Sequence, residues 1–142
     1  MTLSALFLAV AIFVPPPSPA PGIVGYWREP TGSVIEILPC GSDICARMAA
    51  LSPQAPTHFD EKNPDPAARH RLICGLQIGY GFHATDPNHA EGGRLYDPKS
   101  GKTYHGTMTA QGDQLHLRGY VGIKAFGKTE TWTRTIPSTC AK

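Results

Sequence analysis

The chain has 142 residues, which suits one domain of ordinary size and is too short for two. Its 13 Lys and Arg against 11 Asp and Glu give a formal net charge of +2, and its basic residues form no run that would indicate a nucleic-acid partner. The 15 glycines and 14 prolines favour short strands joined by tight turns over a helical fold.

The start of the chain is apolar and carries no charged residue before Arg28. Residues 3–14 are apolar except for Ser4, and a proline-rich stretch follows. This run is shorter than the roughly 20 residues of a membrane-spanning helix and is typical of a secretory signal peptide. We expect residues 1–22 to be a signal peptide with a proline-rich linker, and residues 23–142 to form a single domain. A disordered apolar start of a cytosolic protein is the alternative.

Four cysteines agree with export to an oxidising compartment, because disulfides persist there. Cys40 and Cys45 flank a short turn between two strand-like runs, and opposed positions on a hairpin come within disulfide reach. The favoured bridges are therefore Cys40–Cys45 and Cys74–Cys140, although three pairings are open to four cysteines. A zinc site would need closely spaced cysteine pairs repeated twice, which the sequence lacks.

Short strand-like segments separated by turn signals account for most of residues 23–137, and about eight antiparallel strands at this spacing predict an up-and-down β-barrel or a sandwich. In chain order they are Ile23–Arg28, Ser33–Leu38, Ala46–Leu51, Gly75–Phe82, Arg94–Tyr96, Thr103–Thr109, Gln114–Tyr120 and Thr129–Ile136. Residues 52–66 are too rich in proline to be regular. A helical turn is expected within residues 64–71, where Asp65 can cap and Pro66 suits the first helical position, and another within residues 122–127.

The two ends of the barrel domain carry a matched pair of residues. Trp27 lies in a Gly-x-Trp motif on the first strand, and Arg134 ends a Thr-Trp-Thr-Arg run on the last. Closure of an up-and-down barrel brings these strands together, so the Arg134 guanidinium can stack on the Trp27 indole. We expect both residues to be structural, and the pattern resembles the structural signature of lipocalin-type barrels.

Several further motifs resemble domain of unknown function family 2147, a family of exported bacterial proteins. They are Asn63-Pro64-Asp65-Pro66 with Arg69 and Arg71, Gly92-Gly93-Arg94-Leu95-Tyr96-Asp97-Pro98 with Gly101-Lys102-Thr103-Tyr104, Leu117-Arg118-Gly119-Tyr120-Val121-Gly122, Phe126-Gly127-Lys128-Thr129 and Thr131-Trp132-Thr133-Arg134. The resemblance covers about residues 23–136. It implies a lipocalin-like β-barrel, periplasmic or secreted, and implies no activity.

Catalytic and metal chemistry find little support in the sequence. His83, Asp86, His89 and Glu91 lie close together but match no established metal motif, so neither a metal nor a cofactor is predicted. Asp65 and Asp97 are the best pair of acids, yet both precede prolines in turns where Asp bonds its own backbone. No nucleophile elbow occurs. An enzyme of unknown class is the least favoured interpretation.

A cluster of arginines, lysine and tyrosines is the strongest candidate binding site. Its members are Arg69, Arg71, Tyr96, Lys102, Tyr104, Arg118 and Tyr120. The three tyrosines fall on strands that turns make neighbours, and an eight-stranded barrel can hold one small ligand. Arg118 is the favoured ligand contact, and an inward Arg118 would need a carboxylate such as Asp65 or Asp97, or an anionic ligand. The same residues could instead fill the lumen and satisfy one another.

The function predicted from these patterns is binding of a small amphipathic or anionic molecule by an exported, disulfide-bonded, lipocalin-like barrel. No nucleic-acid partner and no stable insertion in a membrane are expected after removal of the signal peptide. The alternative is an interaction protein of the cell envelope whose barrel is fully packed. A cavity in the lumen distinguishes the two interpretations.

Overall fold

Eight antiparallel strands close into one barrel in a computed structural model that describes residues 12–14 and 22–140. The strands are β1 (Gly25–Arg28), β2 (Val34–Cys40), β3 (Asp43–Ala50), β4 (Gln77–Asp86), β5 (His89–Asp97), β6 (Lys102–Gln111), β7 (Gln114–Tyr120) and β8 (Lys128–Arg134). Each strand pairs with the next along the chain, and β1 pairs with β8. The predicted up-and-down barrel is confirmed. Most of the predicted signal peptide and linker lies outside the described residues.

The two faces of each strand differ as a half-buried barrel wall requires. On β6 and β7, Met108 pairs with Leu117 and Ala110 pairs with Leu115, and all four side chains are buried in the core. The residues between them, Thr109 on β6 and His116 on β7, pair with each other on the outer side. This alternation sets which residues can reach the lumen.

The hairpin of β4 and β5 is longer than the sequence predicted. β4 continues to Asp86 and β5 begins at His89, whereas residues 83–86 and 89–93 have no strand-like pattern. Cross-strand pairing, with Ala84 opposite Ala90, extends both strands to the Pro87–Asn88 turn, although the residues there have little strand propensity.

Two short 3₁₀ helices, η1 and η2, occur where helical turns were predicted. η1 spans Pro66–Ala68, and the Asp65 carboxylate accepts a hydrogen bond from the Ala67 backbone N–H at 3.0 Å. η2 spans Lys124–Phe126 in the loop between β7 and β8. Within residues 12–14 and 22–140, no helix is long and apolar enough to cross a membrane.

The half of the lumen near the chain ends is filled by side chains. Phe82 is fully buried there, and its ring lies against the backbones of Gly93 and Gly106. A Cβ added at Gly93 would lie 2.3 Å from the Phe82 ring, so glycine at this position makes room for the aromatic side chain. Trp27, also fully buried, donates its indole N–H to the Ile23 carbonyl at 2.8 Å and plugs this end.

The four cysteines form two pairs at disulfide distance, which is the favoured pairing. Cys40 and Cys45 have Cα atoms 5.7 Å apart across the β2–β3 turn. Cys74, at the end of the long β3–β4 loop, has its Cα atom 5.9 Å from that of Cys140. The second bridge ties the end of the loop to the C-terminal segment.

Candidate functional site

The other half of the barrel encloses a cavity of about 1110 Å³. It lies at the end that carries the β1–β2, β3–β4, β5–β6 and β7–β8 connections, opposite the Trp27 plug. Apolar side chains form most of its inner wall: Ile35, Met48, Ile73, Ile78, Leu95, Leu117 and Trp132. Tyr104 and Gly119 lie on the same wall. The lumen therefore has a packed end and an open, mainly apolar end.

A buried carboxylate joins two connections at the mouth of this cavity. Glu29 accepts hydrogen bonds from the backbone N–H groups of Thr31 and Ser33, both at 3.0 Å, and from the Thr31 hydroxyl. Lys99 Nζ, in the β5–β6 turn, lies 3.2 Å from the Glu29 carboxylate. Burial opposes ionisation of Glu29, but the hydrogen bonds and Lys99 outweigh it and lower its pKa. The ion pair fixes the β1–β2 turn against the β5–β6 turn.

The long loop between β3 and β4 borders the mouth and is anchored by Asp60. This fully buried carboxylate accepts from the Tyr96 hydroxyl at 2.5 Å, from Asn63 Nδ2 at 2.8 Å and from Arg71 Nε at 2.9 Å. Burial raises the pKa of Asp60, but the three donors and the Arg71 charge together lower it by more, so the net shift is downward. Burial and the Asp60 charge raise the pKa of Tyr96 to about 12. The loop is thus held to β5 by a charged network.

The three tyrosines of the predicted cluster do not share one face of the barrel. Tyr104 pairs with Leu95 and lies on the inner wall. Tyr96 pairs with Thr103, and Tyr120 pairs with His105, so both belong to the opposite face. Tyr96 is covered by the β3–β4 loop, and Tyr120 stacks on His105 with ring centroids 5.6 Å apart. Both line the mouth of the cavity, but neither side chain belongs to the inner wall.

Arg118, the favoured ligand contact, lies on the outer wall, a face that the alternation along β7 alone had left open. It pairs with Thr107 and Thr129, while the adjacent Leu117 occupies the inner face. Its guanidinium donates to the Lys124 carbonyl at 3.0 Å, to the Ala125 carbonyl at 3.1 Å and to Thr129 Oγ1 at 3.0 Å. These acceptors replace the carboxylate that an inward arginine would need.

The remaining basic residues of the cluster also lie outside the lumen. Arg71 pairs with Asp60 and has its Cζ atom 6.0 Å from the Tyr96 ring centroid, and Arg69 donates to the Asn63 carbonyl at 2.8 Å. Lys102 is exposed at the start of β6. The structure therefore gathers Arg71 and Tyr96 at the loop anchor, and leaves Tyr104 as the cluster's inward member.

Several residues of the mouth were not predicted. Glu29, Lys99 and Asp60 are single charged residues in turns, and their buried contacts join parts of the chain up to 70 residues apart. Glu130 was also missed: it pairs with Leu117 on the inner face and accepts from the Trp132 indole N–H at 2.9 Å. The alternation of Glu130 with Trp132 on β8 is the one sequence signal that could have identified it.

The histidine-rich stretch of β4 and β5 does not form a metal site among the described residues. His89 Nδ1 lies 2.9 Å from Thr109 Oγ1, and its Nε2 lies 3.5 Å from the Glu91 carboxylate. Within residues 12–14 and 22–140, no three His, Cys, Asp or Glu side chains stand where they could hold an ion together. The first contact joins β5 to β6 and the second lies within β5.

An eight-stranded barrel plugged at one end and open at the other defines a lipocalin-like protein. HP1028 from the human pathogen Helicobacter pylori, described as belonging to the lipocalin family, has the same fold. It matches with a TM-score of 0.72 at 22% sequence identity, over 80% of this chain and 82% of that one. Residues 25–134 match the family described as "Uncharacterized protein conserved in bacteria (DUF2147)". The chain belongs to this family. The search of curated proteins finds no match.

Proposed function

We propose that this protein binds one small amphipathic molecule in the open half of its barrel. The observation that carries the proposal is the cavity of about 1110 Å³, which is lined mainly by apolar side chains and is open at one end. Burial of apolar surface stabilises a bound hydrocarbon by about 25 cal/mol per Å², and eight-stranded barrels of this class hold one small ligand. A fully packed barrel, the alternative, would have no such space.

The polarity of the cavity supports an amphipathic ligand. The wall at Ile35 and Met48 is apolar, whereas Glu130 beside Leu117 and Glu29 and Lys99 at the mouth are ionisable. A ligand whose apolar body occupies the deep part and whose polar end remains at the mouth would leave no polar group buried without a partner. Because apolar side chains form most of the cavity wall, the apolar body of the ligand supplies most of the binding free energy.

A substitution at Gly119 tests the cavity as the binding site. A Cβ at this position would meet Tyr104 at 3.6 Å, an ordinary contact, so Gly119→Leu fills the cavity without forcing the backbone. We expect Gly119→Leu to weaken the binding of anilinonaphthalene sulfonate about tenfold or more. Displacement of this probe by a long-chain fatty acid should be weakened to the same degree. The measurement is a fluorescence titration of the folded protein.

Thr103→Leu is the matched control, because it adds a similar side chain on the exposed outer face of the neighbouring strand. Its affinity for the probe should equal that of the unsubstituted protein. Equal binding by both variants, or no saturable binding by the unsubstituted protein, would contradict the proposal.

We also propose that the protein is exported, to the periplasm or beyond, with a mature chain that begins near Ile23. Support comes from two cysteine pairs at disulfide distance, from membership of a bacterial family, and from the uncharged apolar start of the chain. Mass measurement of protein recovered from the envelope should give an N-terminus near residue 23. An intact Met1 in cytoplasmic protein would refute export.

A further inference from the structure

The loop between β7 and β8 presents three apolar side chains to solvent beside the mouth of the cavity. Val121, Ile123 and Phe126 have 73%, 63% and 82% of their surface exposed. Val121 and Phe126 also border the cavity. Single exposed apolar residues are ordinary, but three within six positions form a patch that marks an interaction site.

The chain holds this loop in a defined shape. The Arg118 guanidinium donates to the Lys124 and Ala125 carbonyls, and so fixes the short helix η2 that ends at Phe126. Gly127 closes the loop against β7, where an added Cβ would lie 2.7 Å from the Gly119 carbonyl oxygen. The apolar side chains are therefore displayed on a braced support, and Arg118 acts as the brace.

All charged residues in and around the β7–β8 loop are basic. Residues 114–129 contain Arg118, Lys124 and Lys128 and no Asp or Glu. Glu130, the next acidic residue, is exposed, lies on the inner face and accepts from the Trp132 indole N–H. Exposed apolar side chains interleaved with lysines suit the boundary between anionic headgroups and acyl chains, where apolar groups enter and cations remain at the headgroups.

We propose that this docking loop, residues 120–128, binds the surface of an anionic lipid bilayer and places the mouth of the cavity against it. Lys124 and Lys128 would contact the headgroups, and Ile123 and Phe126 would enter the outer acyl region. Tyr120, stacked on His105 at the base of the loop, would lie at headgroup level, where aromatic side chains are enriched. The proposal concerns contact with a surface and does not depend on whether the cavity holds a ligand.

A tryptophan reporter tests the docking loop directly. The two native tryptophans, Trp27 and Trp132, are buried and give a background common to all variants. In Phe126→Trp, emission should shift to shorter wavelength and be quenched by brominated acyl chains in vesicles of phosphatidylglycerol and phosphatidylcholine. Ile136→Trp is the control, because Ile136 is exposed at the plugged end of the barrel, and its emission should change little. A site-specific reporter also separates the loop from any binding by residues 1–14.

Removal of charge tests the headgroup contact. In the Phe126→Trp protein, Lys124→Gln and Lys128→Gln together should weaken vesicle binding about thirtyfold, and vesicles of phosphatidylcholine alone should give little quenching. Neither substitution alters the backbone carbonyls that Arg118 uses. Equal quenching in Phe126→Trp and Ile136→Trp would overturn the proposal. So would the absence of quenching with anionic vesicles, which would assign the patch to a protein partner.

Discussion

Arg134 joins three parts of the closed end of the barrel. Its Cζ atom lies 4.1 Å from the centroid of the Trp27 ring, and its guanidinium donates to the Gly22 carbonyl at 2.8 Å and to the Gly112 carbonyl at 3.3 Å. One side chain thus links the segment before β1, the β6–β7 turn and the last strand. A stacked cation and its hydrogen bonds to backbone carbonyls both stabilise such a junction.

Arg134→Ala should lower the free energy of unfolding by about 2–4 kcal/mol, because the cation–π contact and the charged hydrogen bonds are lost together. Binding of a fluorescent probe should be almost unchanged, since Arg134 is at the end opposite the cavity. Thermal unfolding and probe titration measure the two effects. Arg94→Ala, an exposed arginine of β5, is the control and should alter neither. An unchanged melting temperature in Arg134→Ala would show that the junction is not structural.

The β3–β4 loop is an element whose position depends on a charged network rather than on regular structure. Asp60 links it to β5 through Tyr96, and Arg71 and Asn63 complete the network from within the loop. The adjacent β5–β6 turn packs closely on the loop, since a Cβ at Gly101 would lie 1.9 Å from the Lys62 carbonyl oxygen. The loop should therefore be sensitive to the protonation of Asp60.

Because the pKa of Asp60 is lowered in the folded protein, the free energy of unfolding should decrease at acid pH. The stabilisation is present above the unfolded-state pKa of about 3.9 and is lost as pH falls through the lower folded-state pKa. Asp60→Asn should cost about 1–3 kcal/mol at neutral pH and should flatten this acid loss. Urea unfolding at a series of pH values measures both. Glu29, whose pKa is also lowered, should leave part of the acid dependence in place.

Asp65→Asn is the control for this experiment, because Asp65 lies exposed in the same loop and asparagine can also cap η1. It should keep the acid dependence of the unsubstituted protein. If Asp60→Asn loses as much stability at acid pH as the unsubstituted protein, Asp60 is not the group responsible for that loss.

The lumen of the whole barrel is divided into a packed end and an open end. Phe82, Trp27, Met108 and Leu115 fill the packed end and are fully buried. The space for Phe82 is provided by Gly93 and Gly106, on the next two strands of the barrel, β5 and β6. Gly119 has no side chain to fill the space beside Tyr104 on the inner wall, and there the cavity opens. A barrel of one strand number can thus combine a stable core with a binding space.

The fit between Phe82 and Gly93 can be tested with a double-mutant cycle. Gly93→Ala should destabilise the protein by about 1–3 kcal/mol, because its Cβ would overlap the Phe82 ring. Phe82→Ala should cost about 3–5 kcal/mol through the cavity that it leaves. In the double variant, Gly93→Ala should cost almost nothing further, which denaturant unfolding would show. Additive effects of the two substitutions would contradict the close fit.

The sequence by itself determined the architecture of this protein. Alternating side chains between turn motifs predicted eight antiparallel strands. The spacing of Cys40 and Cys45 predicted a hairpin closed by a disulfide. The positions of Trp27 and Arg134 on the first and last strands predicted their contact across the closure. These features depend on local periodicity and on the order of elements, and both can be read along the chain.

Only the tertiary structure decided which polar residues face the cavity. Pairing of Tyr96 with Thr103 and of Tyr120 with His105 places those tyrosines on the opposite face from Tyr104. Arg118 follows the same rule on β7: it faces outward and donates to backbone carbonyls of the docking loop. The reason is physical: strand register has a period of two, so a shift of one residue in pairing exchanges the inner and outer faces. Turn geometry and the packing of the closed barrel set that register.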